Sequence, residues 1–135
     1  MRKLLLVLVA SMTWAAAAHA AEKPKAVEHP GQVALVEEDG GYIYRTFPNQ
    51  LRMYVYDKDK PPKFGCSEGC INAWPPVWAP GDAKPTGEWT LIDRPERNRK
   101  QWAYKGRPVY TRFHDTPTEA TGAGMDNGAW KLLVP

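Results

Sequence analysis

Hydrophobic and polar positions alternate along several short runs of the chain, and the clearest of them is LRMYVY at residues 51–56. Leu51, Met53 and Val55 fall on one face of a strand with period two, and an arginine and two tyrosines fall on the other. Because both faces are partly apolar, this run is predicted to be a central strand. The other β-prone runs are QVALV, YIYRT, EWTLI, QWAYK, PVYTRF and AWKLLV.

Turn-forming residues separate these runs. The 13 prolines and 11 glycines lie mostly between them, and Gly106-Arg107 is predicted to form a tight hairpin turn. The one helical candidate in the exported part of the chain is CSEGCINAW at residues 66–74, which is short and is followed by Pro75 and Pro76. The predicted fold class is therefore all-β: a small domain of short antiparallel strands, with one short helical turn around residues 66–74.

An internal repeat organises the chain. A tyrosine, an aspartate five residues later and a tryptophan twenty residues after the tyrosine occur twice, 56 positions apart. The two sets are Tyr54, Asp59 and Trp74, and Tyr110, Asp115 and Trp130. Each set begins in a predicted strand and continues into a loop rich in glycine or proline. This pattern predicts a duplicated unit, with repeats at about 51–78 and 107–134 that share one core.

The first twenty residues have the features of a signal peptide. Arg2 and Lys3 precede an apolar run, and AHA at 18–20 is a small-residue cleavage site, so cleavage is expected after Ala20. We expect a periplasmic or secreted protein, with a flexible lead-in at 21–30 and a single β-rich domain at 31–135. No later run is long enough to span a membrane, and the absence of a cysteine at the cleavage point argues against a lipid anchor.

The charge of the chain limits its partners. The formal net charge of +3 includes Arg2 and Lys3, which leave with the leader, so nucleic acid is not an expected partner. A local basic cluster is interpreted as a solvated turn. Its members are Arg94, Arg97, Arg99 and Lys100.

The order of motifs resembles a known family. Tyr-x-aromatic-x-x-Asp is followed by Cys-x-x-x-Cys, Trp-Pro-Pro and Gln-Trp-x-Tyr-x-Gly-x-Pro-x-Tyr over residues 51–135. This order resembles the secreted-repeat family of predicted bacterial lipoproteins that carry a Y-x4-D motif. The resemblance implies an exported location and says little about activity. The chain differs from many members of that family because it lacks the lipid-bearing cysteine.

The two cysteines, Cys66 and Cys70, have a favoured interpretation and an alternative. In an oxidising compartment an even number of cysteines favours a disulfide, which would close a short loop. The alternative is a copper(I) site in which Cys66 and Cys70 bind the metal together with His114. Haem attachment would need a histidine where Ile71 stands. A zinc site would need both cysteines and both histidines that remain after cleavage of the signal peptide, His29 and His114.

The Tyr-Asp pairs could serve general acid-base chemistry, but an aspartate in a turn-like segment more often accepts hydrogen bonds from backbone N–H groups. No nucleophile elbow or phosphate-binding glycine loop is present in the sequence. We therefore expect no catalytic residues and no cofactor, with copper as the alternative. The leading hypothesis is an exported non-enzymatic module that is structural or binds an unknown protein or small ligand. The second hypothesis is a copper-handling or electron-transfer accessory protein that uses the cysteines and His114.

Overall fold

The computed structural model describes residues 28–135, so the predicted signal peptide and most of the predicted lead-in lie outside the described residues. Short antiparallel strands in small sheets make up the fold, which confirms the all-β prediction. The strands are β1 Val33–Glu38, β2 Gly41–Thr46, β3 Tyr54–Tyr56, β4 Trp89–Arg94, β5 Arg99–Tyr104, β6 Arg107–Pro108 and β7 Trp130–Leu132. The helix α1 spans Cys70–Ala73, and a 3-10 turn spans Pro95–Arg97.

Two hairpins begin the two halves of the domain. In the first, β1 pairs with β2, and the turn residues Asp39 and Gly40 both have positive φ, as a tight two-residue turn requires. In the second, β4 pairs with β5. The turn between β5 and β6 consists of Lys105 and Gly106, both with positive φ. This turn lies one residue earlier than the predicted Gly106-Arg107 turn, because Arg107 already pairs with Tyr104.

Hydrogen bonds of the hairpins recur at corresponding positions in the two halves. Val33 N–H donates to the Pro30 carbonyl at 3.0 Å, and Trp89 N–H donates to the Thr86 carbonyl at 2.9 Å. We call residues 30–77 copy 1 and residues 86–133 copy 2. Copy 2 has two additional residues between its hairpin strands, and copy 1 has two additional residues after β2, so the offset returns to 56. The correspondence thus begins upstream of the predicted repeats.

The two copies interlock through a central sheet, which we define as residues 53–57, 73–77, 109–113 and 129–133. At its centre Tyr54 and Tyr110 exchange both backbone hydrogen bonds, at 2.8 and 2.9 Å. Within this sheet, residues 53–57 of copy 1 pair with residues 129–133 of copy 2, and residues 109–113 of copy 2 pair with residues 73–77 of copy 1. Asp57 N–H donates to the Ala129 carbonyl, and 56 positions later Phe113 N–H donates to the Ala73 carbonyl, both at 2.9 Å. The arrangement has an approximate two-fold axis between Tyr54 and Tyr110.

Apolar side chains form two clusters. One lies between the hairpins and consists mainly of Val33, Tyr44, Met53, Val55, Val77, Trp89, Trp102, Tyr104, Val109 and Leu133. The second, which we call the aromatic cluster, lies against the central sheet and consists of Tyr54, Tyr56, Cys66, Ile71, Trp74, Tyr110 and Trp130. Both copies contribute to both clusters, so neither copy has a complete core of its own. Burial of the large rings supplies much of the apolar area of this small domain.

Candidate functional site

The tyrosines and aspartates of the repeated motif pair across the two copies. The Tyr54 hydroxyl donates to Asp115 Oδ2 at 2.5 Å, and the Tyr110 hydroxyl donates to Asp59 Oδ2 at 2.7 Å. The partner of each tyrosine is thus the aspartate of the other copy, although its own copy has an aspartate five residues away. These charge-assisted hydrogen bonds tie the copies together on both sides of the approximate two-fold axis.

The second carboxylate oxygen of each aspartate holds the loop that follows it. Asp59 Oδ1 accepts from Gly65 N–H at 2.8 Å, and Asp115 Oδ1 accepts from Thr121 N–H at 3.0 Å. Both bonds span six residues and are 56 positions apart. An aspartate that fixes a turn through backbone N–H groups is a common structural device. Within the described residues the Tyr-Asp pairs therefore connect the two copies through hydrogen bonds and fix the loops that follow the aspartates.

Burial raises the pKa of Tyr54, Tyr110 and Asp59 and so favours their protonated forms. Burial and the hydrogen bond to Asp115 raise the pKa of Tyr54 to about 12. Burial also raises the pKa of Tyr110, with the nearby Asp59 charge adding to it. The pKa of the Asp59 carboxyl is raised by burial, which outweighs the hydrogen bonds from Tyr110, Gly65 and Cys66. At neutral pH both phenols therefore keep their protons and remain hydrogen-bond donors.

The two motif tryptophans stack on each other in the aromatic cluster. The Trp74 and Trp130 rings are 3.7 Å apart between centroids and 2° from parallel. Tyr54 contacts the Trp74 ring edge-on at 5.3 Å, and Tyr110 contacts the Trp130 ring in the same way at 5.2 Å. Both indoles are almost fully buried. These contacts match between the copies, and a further neighbour differs, since Tyr56 stacks on Trp130 at 4.1 Å where Arg112 lies 5.1 Å from the Trp74 ring centre.

Cys66 and Cys70 form a disulfide with a Cα–Cα distance of 5.2 Å. The position in copy 2 that corresponds to Cys66 is Gly122. A Cβ atom there would lie 2.5 Å from the Trp74 ring, which leaves no room for a side chain. The disulfide is therefore a feature of copy 1 alone, and the Tyr-Asp pairing occurs in both copies.

The structure gives no support to the copper alternative. Across residues 28–135, no three or more histidine, cysteine, aspartate or glutamate side chains are grouped so that they could hold a metal ion. His114 is exposed and contacts the ring of Phe113 at 4.3 Å. The residues proposed from sequence as copper ligands thus do not form such a group.

Arg94 corrects the interpretation of the basic cluster as a solvated turn, because its side chain is completely buried. The guanidinium donates to the Cys66 carbonyl at 2.7 Å, to Glu96 Oε1 at 2.7 Å and to the Tyr110 hydroxyl at 3.2 Å. It also lies 3.8 Å from the centre of the Phe64 ring. These three acceptors, together with Gln101 Oε1 at 3.4 Å and the aromatic face, compensate the cost of burying this cation. Arg97, Arg99 and Lys100 are exposed.

Sequence reasoning missed Arg94, although the repeat contains a signal for it. The position 56 residues earlier is Glu38, at the end of the corresponding strand β1. Glu38 is an ionic centre as well, since Arg45 and Arg52 both donate to its carboxylate. The hydrogen bond from Arg45 is the main cause that lowers the pKa of Glu38. β1 ends at Glu38 and β4 ends at Arg94, so corresponding positions of the two copies carry opposite charges. This reversal could have indicated that Arg94 is paired rather than solvated.

A cavity of about 570 Å³ lies beside Arg94, at the end of the second hairpin where a loop joins β4 to β5. Its wall includes the segments 79–81, 93–95 and 98–100. Pro95 and Asn98 of the wall belong to the loop between β4 and β5, which is two residues longer than the loop between β1 and β2. The cavity lies outside the repeated Tyr-Asp-Trp set.

These features define a duplicated small β domain whose two copies exchange strands. Residues 96–133 match the family Lipoprotein_15, which is described as a secreted repeat of unknown function. The matched segment contains β5, β6 and β7, which confirms the resemblance to a secreted-repeat family over most of copy 2 and supports an exported protein. Comparisons with curated proteins and with solved structures returned no match. In the described part of the chain, no helix has the length and apolar character needed to cross a membrane.

Raising the pH above 10 is expected to destabilise the protein through Tyr54. The unfolded chain loses this proton near the ordinary pKa of 10.0, and the folded chain keeps it until the pKa of about 12. The contribution of Tyr54 to the free energy of unfolding should therefore be constant below pH 10 and fall as the pH rises toward 12. Urea unfolding at neutral and alkaline pH should show a smaller alkaline loss for Tyr54→Phe, because phenylalanine has no proton to release. An identical pH dependence in both proteins would contradict this assignment.

Proposed function

We propose that this chain is an exported, non-enzymatic binding module that acts in the periplasm or outside the cell, after removal of the residues up to Ala20. The observation that carries the proposal is the reciprocal pairing of Tyr54 with Asp115 and of Tyr110 with Asp59. The groups that could have served acid-base chemistry are bound to each other and to backbone N–H groups. Their role is to hold a rigid scaffold.

A rigid scaffold favours binding because little conformational entropy is lost when a ligand is held. The cavity at the end of the second hairpin is the concave feature that the scaffold offers to a small ligand. Its volume of about 570 Å³ lies within the range of small-molecule sites. The cavity also lies at a loop whose length differs between the two copies. It is therefore separate from the scaffold that the copies share.

A thermal-shift screen with small molecules of mixed charge tests this proposal. We expect some compounds to raise the midpoint of unfolding in the wild-type protein and to lose this effect in Arg99→Glu, whose substitution reverses a charge on the cavity wall. The recovered compounds should be chemically unchanged when analysed by mass spectrometry. Turnover of a bound compound would contradict the non-enzymatic assignment. Stabilisation that persists in Arg99→Glu would place binding elsewhere.

A further inference from the structure

The cavity wall has an excess of positive charge. Arg94, Arg99 and Lys100 contribute three cations, and Asp93 contributes one carboxylate. Asp93 is already occupied, since Lys100 Nζ lies 3.1 Å from its Oδ1. The Arg99 guanidinium lies 4.5 Å from the centre of the Trp78 ring, and this contact holds its otherwise exposed side chain against the protein surface. The cavity thus presents at least one ordered cation whose charge no carboxylate of the wall balances.

Arg94 is a buried, hydrogen-bonded cation beneath these exposed side chains. A guanidinium has five N–H groups. Its contacts with Glu96, Tyr110, Gln101 and Cys66 engage four of them within the described residues, and the fifth is on Nη2. Because this side chain is completely buried and paired with Glu96, it supports the cavity wall, and the exposed guanidinium of Arg99 is the one that a ligand can reach. A planar guanidinium suits the oxygens of a carboxylate or phosphate group.

The corresponding end of the first hairpin differs in charge. The end of the first hairpin reads EEDGGY at residues 37–42, where copy 2 has DRPERNRK at residues 93–100. Glu38 stands where copy 2 has Arg94, and its carboxylate is already paired with Arg45 and Arg52. The two ends of the approximately symmetric molecule are therefore acidic and basic. An anionic group is expected to choose the basic end.

We propose that this cavity binds an oxyanion group, a carboxylate or a phosphate, that is carried by a ligand of about monosaccharide size. The inference rests on the proposed binding function and names the chemical class of its ligand. Arg99 and Lys100 supply the charge that attracts the anion, the Arg99 guanidinium supplies the planar donors, and Asn98 adds a polar group to the wall. A free inorganic ion would leave most of a cavity of about 570 Å³ unfilled.

Titration of the 15N-labelled full-length mature protein with four probes tests the proposal. The probes are glucose 6-phosphate, glucuronate, inorganic phosphate and, as the uncharged control, glucose. We expect glucose 6-phosphate or glucuronate to shift the amide signals of Ala79, Gly81 and residues 98–100, with a weaker effect from inorganic phosphate and none from glucose. Which of the two sugars binds more tightly distinguishes a phosphate from a carboxylate. Binding should weaken as the salt concentration rises, because exposed charges are screened.

Charge-neutralising variants provide the control. Arg99→Gln and Lys100→Gln should each weaken binding by about fivefold or more, and the double variant should lose it. Lys63→Gln removes the same charge from an exposed loop elsewhere and should bind as the wild type does. Equal effects of the three substitutions, shifts with glucose alone, or no shift with any anion would overturn the inference. Shifts of the same amides with neutral or cationic compounds would overturn it while leaving the proposed binding function intact.

Discussion

Replacement of Trp74 or Trp130 by alanine is expected to lower the free energy of unfolding by about 3–5 kcal/mol in each case. Each indole is almost fully buried, stacks on the other at 3.7 Å and meets the edge of a motif tyrosine. Loss of either ring leaves a cavity in the cluster that both copies share. Urea unfolding followed by circular dichroism measures the effect. Because the rings are in contact, the double variant should lose less than the two single losses added together.

A matched control for these substitutions is Phe113→Ala, which removes a ring that is 58% exposed. Its effect should stay within about 0.5 kcal/mol, as is usual for a surface position. A near-neutral result for either tryptophan variant would show that this indole faces solvent and is not part of a shared core. Similar losses in the two tryptophan variants would agree with the matched environments of the rings.

Replacement of Arg94 by methionine is expected to lower the free energy of unfolding by about 3 kcal/mol. The substitution keeps much of the side-chain volume but removes the donors to Glu96, the Cys66 carbonyl and the Tyr110 hydroxyl. The carbonyl and the hydroxyl would remain buried with fewer partners. The expected loss is at the lower end of the range for broken buried ion pairs, because Glu96 keeps contact with water.

Arg97→Met is the control for Arg94→Met, because Arg97 lies three residues away on the 3-10 turn and is exposed. Its effect on the unfolding midpoint in urea should be small. Equal midpoints for the two variants would contradict the assignment of Arg94 as a buried ionic centre. A larger loss at Arg94 would establish that the basic cluster is divided into one buried and three exposed cations.

Periodicity and turn residues were sufficient to predict the all-β class and the general position of most strands. The run at 51–56 has apolar or aromatic side chains on both faces, as expected because all three residues of β3 are buried in the central sheet. The turn at Lys105-Gly106 was predicted one residue too late. Lysine rarely adopts positive φ, so the sequence gives no signal that Lys105 is a turn residue. The secreted-repeat resemblance rested on motif order, and the family match supports it over residues 96–133.

The partners of the motif residues could not be predicted from their spacing. A tyrosine and an aspartate five residues apart suggest a local pair, but Tyr54 and Asp115 are 61 positions apart in the chain. The exchange of strands between the copies determines which aspartate each tyrosine binds. That exchange depends on pairing in the central sheet rather than on local propensity. The burial of Arg94 was missed for a similar reason, since its acceptor on Cys66 is 28 positions away. The cavity also depends on contacts between distant segments.

The central claim is that the two copies interlock, with each motif tyrosine bound to the aspartate of the other copy. Double-mutant cycles of unfolding free energy test it most directly, with Tyr54→Phe combined either with Asp115→Asn or with Asp59→Asn. The structure predicts a coupling energy of about 1 kcal/mol for Tyr54 with Asp115 and near-additivity for Tyr54 with Asp59. Strong coupling of Tyr54 with Asp59, and none with Asp115, would mean that each motif closes within its own copy and would contradict the interlocked fold.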